Sequence, residues 1–256
     1  MKEKYRQLEF GLLRSYISEL TFFIEVSDFY KKSSKFHSVC YPEISDRRKY
    51  FADAACDPLL ANKEVDCIVS NDIDFGYGEP FWFLLGANGG GKTTYLRSVG
   101  SNLILFLCGC PVFAKRAYIY PFSSVVTHFP KDERFTAAGR LTEEKLRVDS
   151  MLENGGDCSF YLFNETFSGT DDVKGYELAF STARVMVDRG IFGLFVTHFH
   201  NLENEDFPVL QALTDPENER ARTFKICRSE KGSMSHAADI LKKYGLDKYS
   251  LAERRK

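Results

Sequence analysis

No pair among the seven cysteines is spaced C-x-x-C, and Cys108-Gly109-Cys110 is set too close for a standard zinc knuckle. No apolar core of a secretion signal follows the charges of residues 1–10. An odd cysteine count without such a signal predicts reduced thiols, most of them core filler, in a cytoplasmic protein. Nor is any apolar run long enough to cross a bilayer, since the longest at helical spacing is only Leu103 to Cys108. Neither sign of charge dominates: 34 Lys and Arg against 36 Asp and Glu leave a net −2, so no overall basic field argues for nucleic acid. Repeats and low-complexity segments are missing as well. What remains is a 256-residue chain of 44% hydrophobic content, enough for one large α/β domain or one domain with an appendage.

Gly86-Ala87-Asn88-Gly89-Gly90-Gly91-Lys92-Thr93 fills the G-x-x-x-x-G-K-[ST] phosphate-loop pattern at every fixed position. Such a loop turns successive backbone N–H groups inward onto phosphate oxygens, and a Cβ would block that approach. Lys92 is placed to reach the β- and γ-phosphates, and the Thr93 hydroxyl to bind Mg²⁺. Phe81 to Leu85 reads as a buried strand ahead of the loop. Behind it Leu96, Val99, Leu103 and Leu107 recur at helical spacing, which sets the phosphates on a helix N-terminus. This context predicts binding of a nucleoside triphosphate.

Elsewhere, residues 5–36 read as helix with a stripe of Leu13, Ile17, Leu20 and Ile24, widened by Leu12, Tyr16 and Phe23. Its apolar face is expected to pack on the body or to continue a part not present. Arg47-Arg48-Lys49 reads as a solvated face. Asn71 to Asp74 leads through Gly76 and Gly78 to the loop strand, and Tyr118 to Phe129 reads as one or two strands. Thr142-Glu143-Glu144-Lys145 is expected to open a helix with Thr142 as N-cap, stopped by Asn154-Gly155-Gly156. Ser159–Phe163 and Ile191–Val196 read as buried strands around a helix at 172–188 bearing Leu178, Ala179, Thr182, Val185 and Met186. An edge strand at 222–228 and helices at 235–244 and 246–254 close the chain. Alternating strands and helices predict a mostly parallel sheet flanked by helices.

Phe160 to Glu165 is the candidate for the acidic strand a phosphate loop needs. Glu165 would polarise the attacking water. Asn164 stands beside it, able to accept through its carbonyl or hold a metal-bound water, but bringing no charge to the ion. Thr93, Asn164 and Glu165 are therefore the candidate metal residues. His198 leaves the next buried strand, where it would contact the γ-phosphate or its water. His37, His128, His200 and His236 read as ordinary surface or core residues.

The order of these motifs resembles the MutS family of DNA mismatch-repair ATPases. Gly86 through Thr93, with Thr94-Tyr95-Leu96-Arg97, is similar to that family's G-P-N-M-G-G-K-S-T-Y-L-R. Asn164 to Thr170 with Gly175 resembles its D-E-x-G-R-G-T-S-T-x-D-G, and Phe195 to Phe199 its F-A-T-H-Y. Ala138-Gly139-Arg140-Leu141-Thr142 falls where the family carries S-G-R-S-T, and Asn71-Asp72 where it carries N-D. Ser235 to Leu246 resembles its S-Y-G-x-x-V-A-x-x-A-G region. The resemblance covers roughly residues 40–250 and implies an ABC-type ATPase fold at 41–256, behind a helical segment at 1–40. It further implies ATP and Mg²⁺ as ligands and a homodimer or heterodimer closing around the nucleotide. Gly139, Arg140 and Thr142 would then act across that interface, and Ile68 would lie against adenine. DNA would be gripped mostly by parts outside this chain, with no membrane involved.

Departures from the family pattern matter for turnover. Asn164 replaces an Asp, Leu141 replaces a serine whose hydroxyl would donate to the γ-phosphate, and Asp171-Asp172 replaces Ser-Thr. Glu143-Glu144-Lys145 replaces an apolar stretch. Two readings follow: an ATPase with slowed hydrolysis, or an ATP-gated dimerisation module with little or none. A transporter's nucleotide-binding subunit is disfavoured, because no L-S-G-G-Q-like signature precedes the acidic strand and no Q-loop is evident.

Overall fold

The apolar runs become strands of two sheets. The computed structural model describes residues 2–33, 37–61, 68–76, 78–130, 137–168, 172–215 and 222–229, without the side chains of 2–13, 15, 137, 138, 140 and 204. Six strands form the main sheet: β4 (Phe81–Gly86), β6 (Val125–His128), β7 (Phe160–Asn164), β8 (Phe192–Val196), β9 (Val209–Thr214) and β10 (Arg222–Arg228). Their order is β10-β9-β4-β8-β7-β6, parallel throughout except where β10 runs antiparallel to β9. β4 and β8 are buried at every residue, which is why each is written in unbroken apolar letters.

A second, four-stranded sheet departs from the sequence reading. It joins β1 (Glu43–Ile44), β2 (Tyr50–Ala55), β3 (Asn71–Phe75) and β5 (Arg116–Ile119) in the order β1-β5-β2-β3. Asn71 to Asp74, expected as a lead-in, is thus a strand. The 118–129 stretch splits between the sheets, because Pro121 interrupts the run.

Five α-helices are described: α1 (Lys2–Ser33), α2 (Pro58–Ala61), α3 (Lys92–Leu107), α4 (Ala137–Asn154) and α5 (Asp172–Asp188). On one face of the main sheet, α3 and the small sheet enclose Tyr50, Phe75, Leu96, Val99, Leu103 and Leu162. On the other, α4 and α5 pack Leu141, Val148, Ala183 and Met186 against Phe83, Phe163 and Phe195. Leu107, expected on the buried stripe of α3, is exposed, as is Val185 on α5. Phe195 is fully buried, with its ring centroid 5.5 Å from Phe83 and 5.2 Å from Phe163. Truncating it leaves a cavity costing about 3–5 kcal/mol. A Phe195→Ala chain is expected to melt roughly 10 °C lower by circular dichroism.

One helix expectation needs correction, and one of the two alternatives for α1 falls. Thr142 is not an N-cap: α4 begins at Ala137, and Thr142 lies inside it with an exposed side chain. Alanines at 137 and 138 propagate helix upstream of Thr142. Leu141, Glu144, Val148 and Leu152 recur as its buried face. The stripe of α1 does not pack on the body over 16–24, where Tyr16, Ile17, Leu20, Phe23 and Ile24 are exposed. Among the described side chains of α1, those at its end are docked. There Tyr30 stacks on Phe113, Phe29 meets the same ring edge to face, and the Tyr30 hydroxyl donates to the Pro111 carbonyl at 2.5 Å. The expected helices at 235–244 and 246–254 lie outside the described residues.

Candidate functional site

Three parallel strands, β4, β7 and β8, end side by side, and the predicted residues collect at their carboxyl ends. β4 delivers Gly86 into a loop in which Gly86, Gly89 and Gly91 all hold positive φ, at 121°, 74° and 91°. A Cβ on Gly90 would stand 2.9 Å from the Ala87 carbonyl oxygen, and one on Gly91 3.3 Å from the Phe224 ring. Only glycine fits this cradle. Gly91 caps α3 with no side-chain hydrogen bond, so among the described residues the first N–H groups of that helix, from Lys92 to Thr94, have no capping side chain. Such a terminus attracts anions, and the cradle suits a phosphate chain.

Lys92 lies folded into the loop. Its ammonium donates to the Gly86 carbonyl at 2.6 Å and the Ala87 carbonyl at 3.2 Å. Burial pushes its pKa below the ordinary lysine range. The Glu165 carboxylate acts to raise it, and the Arg222 guanidinium to lower it. Those effects put Glu165 and Arg222 within electrostatic reach of the loop.

The acidic side meets the loop directly. Thr93 Oγ1 donates to Asn164 Oδ1 at 3.1 Å, joining the start of α3 to the end of β7. Glu165 follows with φ 49°, its N–H donating to the Val196 carbonyl at 2.8 Å. Phe167 also has positive φ, at 65°. Each such non-glycine residue stores roughly 1–3 kcal/mol of strain, a cost met by its surroundings and frequent at functional turns. Thr197 N–H donates to the Leu84 carbonyl, so His198 leaves β8 between the other two strand ends. Its Nε2 lies 3.7 Å from Asp172 Oδ1 at the start of α5. Thr93, Asn164 and Glu165 supply hard oxygen donors, which fit Mg²⁺ better than a soft ion. No group of three or more His, Cys, Asp or Glu gathers among the described residues, so an ion here would complete its shell with phosphate and water.

A family model described as MutS domain V matches residues 82–245. The chain belongs to the MutS family. It is 30% identical to the DNA mismatch repair protein MSH2 of Saccharomyces cerevisiae over 165 residues, covering 63% of this chain and 17% of that protein. Endonuclease MutS2 of Solidesulfovibrio magneticus is 27% identical over 212 residues, covering 80% of this chain and 27% of the relative. The DNA mismatch repair protein MutS of Chlorobium phaeovibrioides is 29% identical over 175 residues, covering 66% and 20%. The matched part therefore spans only about a sixth to a little over a quarter of the length of these relatives.

Not every predicted residue of this MutS-family chain joins the cluster. Gly139 and Thr142 are exposed on α4, across the main sheet from α3 and the loop. The Arg140 side chain, and residues 169–171 with 235–246, lie outside the described residues. Leu141, at the family's serine position, is buried in the core against α5 and β7. Gly175 is explained by contact: a Cβ there would stand 2.5 Å from the Phe167 carbonyl oxygen.

Ile68 is half-buried and lines a cavity of about 180 Å³ with Cys56, Gly91, Thr94, Tyr95 and Phe224. Phe224 and Arg222 were not singled out from sequence. They sit on an edge strand with no motif and reach the loop through a register shift between Arg222 and Ile226. Asn71 holds that strand in place: its Nδ2 donates to the Phe224 carbonyl at 3.0 Å, and its Oδ1 accepts from Ile226 N–H at 2.8 Å. Burial, reinforced by the Asp57 charge, pushes the Cys56 thiol up to about 11. Thiolate is the reactive form. At pH 8 iodoacetamide is expected to label the exposed Cys108 and Cys227 and to leave Cys56 unmodified until the chain is denatured, as read by peptide mass.

Proposed function

We propose that residues 41–256 form the ATP-binding and ATP-hydrolysing domain, of the phosphate-loop ABC type, of a MutS-like DNA-repair protein that dimerises around the nucleotide. The observation that carries this reading is the 3.1 Å hydrogen bond from Thr93 to Asn164, which closes the glycine-rich loop onto the end of β7. In this reading Gly86 to Gly91 and the first turn of α3 hold the phosphates, joined by Lys92 once its ammonium turns from the loop carbonyls. Thr93 and Asn164 hold Mg²⁺, which when bound neutralises phosphate charge. Glu165 orients the attacking water and takes its proton. His198, steadied by Asp172, lies beside that water. Ile68 and Phe224 flank the base. Gly139, Arg140 and Thr142, on the far face from the bound loop, serve the nucleotide of a second subunit.

The relatives are named for DNA mismatch repair and for endonuclease action, and this chain covers a minor part of each. DNA contact is accordingly assigned mostly to parts outside these residues. One feature favours an ATP-gated clamp with little hydrolysis: position 141 is a leucine, buried in the core, where the family's serine would offer a hydroxyl. Turnover measured together with mass in solution, with and without ATP, separates the readings. An ATP-dependent dimer with turnover above that of Glu165→Gln supports the engine, and a dimer with turnover equal to it supports the clamp. Absence of both overturns the proposal.

A further inference from the structure

Glu165, Thr166 and Phe167 link β7 to the segment before α5, and the first and last of them stand in the left-handed region. L residues adopt that conformation only when neighbours enforce it. Here a backbone hydrogen bond from Glu165 to the Val196 carbonyl of β8 is joined by buried polar side chains from two further elements. Thr166 is fully buried, with Oγ1 2.8 Å from Nδ1 of His128, the buried last residue of β6. The Phe167 N–H donates at 2.8 Å to the carboxylate of Glu144, buried on α4. A third side is steric, where the missing Cβ of Gly175 admits the Phe167 carbonyl. Burying an imidazole and a carboxylate beside an aromatic core is costly, and an aliphatic side chain would pack either position without that cost. Their hydrogen bonds to the turn are what an aliphatic residue cannot supply. Burial lowers the pKa of His128, while Glu144 raises it and Arg147 lowers it. The neutral ring has one donor nitrogen and one acceptor nitrogen. Among the described residues its Nε2 has no hydrogen-bond partner, which leaves Thr166 as the contact that orients the ring.

We propose that His128 and Glu144 are positioning residues for Glu165, fixing the strained turn from the sheet edge and from α4 so that the carboxylate faces Lys92 and the Thr93–Asn164 pair. The proposal rests on the reading of Glu165 as the water-orienting group. Because Glu144 belongs to α4, a shift of that helix moves the Phe167 amide and, with it, Glu165.

The test compares removal with conservative replacement in the full 256-residue chain: Thr166→Val against Thr166→Ser, and Glu144→Leu against Glu144→Gln. ATP turnover, affinity for a fluorescent ATP analogue, and amide hydrogen exchange over 165–168 are measured for each. Misplacing a catalytic group by about 1 Å costs up to about 100-fold. Thr166→Val and Glu144→Leu are expected to lose at least about tenfold in kcat with affinity held within about twofold. Thr166→Ser and Glu144→Gln, which keep a hydroxyl and a carbonyl acceptor, are expected to stay within about threefold of wild type. Wild-type kcat in the Val and Leu chains overturns the proposal, as does a parallel loss of kcat and affinity in all four. If wild type turns over no faster than Glu165→Gln, the hydrolytic reading fails on its own, and exchange decides the positioning role. Faster exchange in the Val and Leu chains, restored by Ser and Gln, then upholds it; unchanged exchange overturns it.

Discussion

Lys92→Ala is expected to remove ATP turnover by at least about 100-fold, the scale seen when one preorganised donor to a developing charge is deleted. The ammonium is the one formal positive charge within the loop itself, and it is held there by the Gly86 and Ala87 carbonyls rather than by a carboxylate pair. Those are neutral acceptors that an anionic phosphate oxygen can outbid, since it adds the attraction of opposite charges to the hydrogen bond. Nucleotide affinity is expected to fall as well, because Lys92 serves bound ATP as well as the transition state. Lys92→Met keeps the buried stem and removes only the charge. Equal losses in both variants, by phosphate release and by equilibrium titration with a fluorescent ATP analogue, assign the effect to the ammonium. Full turnover in Lys92→Met sinks the proposed site.

Glu165→Gln is expected to behave differently: kcat lower by about 10²–10⁴, the range for a lost general base, with nucleotide affinity nearly unchanged. The amide keeps the length and the hydrogen-bonding reach of the carboxylate but accepts no proton. The turn is held by the Val196 carbonyl, by Ser168, whose hydroxyl donates to the Glu165 carbonyl, and by His128 and Glu144; none of these contacts uses the Glu165 side chain, so the substitution leaves the strained geometry in place. A dimer formed on ATP should therefore persist in this variant, detectable as added mass in light scattering. Loss of affinity and of turnover together would mean that Glu165 holds the nucleotide or its metal ion rather than the water.

Both experiments concern residues that were legible as letters. The glycine-rich loop, the apolar strand before it and the helix after it are contiguous, so local backbone rules suffice to read them. Asn164, Glu165 and His198 were legible because buried parallel strands are written as unbroken apolar runs whose ends stand out. The N-terminus of α4 was misread, because Thr142 followed by two glutamates carries a capping signal that a buried Leu141 and the upstream alanines override. The small sheet was missed for a different reason. Its members are short and distant in sequence, and β2 pairs with partners at 71–75 and at 116–119 that no local periodicity announces.

The residues around the loop divide along the same line. Chemistry that depends on neighbours in sequence, a phosphate cradle with its lysine and threonine, was written in the sequence as spacing. Chemistry that depends on neighbours in space was not. Phe224 and Arg222 reach the loop through the shifted pairing of β10 with β9, and Asn71 clamps β10 from another sheet. His128 read as an ordinary residue until β6 paired with β7 and set it against Thr166. Glu144 read as part of an acidic first turn until α4 turned it inward onto the Phe167 amide. A hydrogen bond across 20 or more residues depends on how strands are ordered and which helix face is buried, and those are decided by packing the whole core at once.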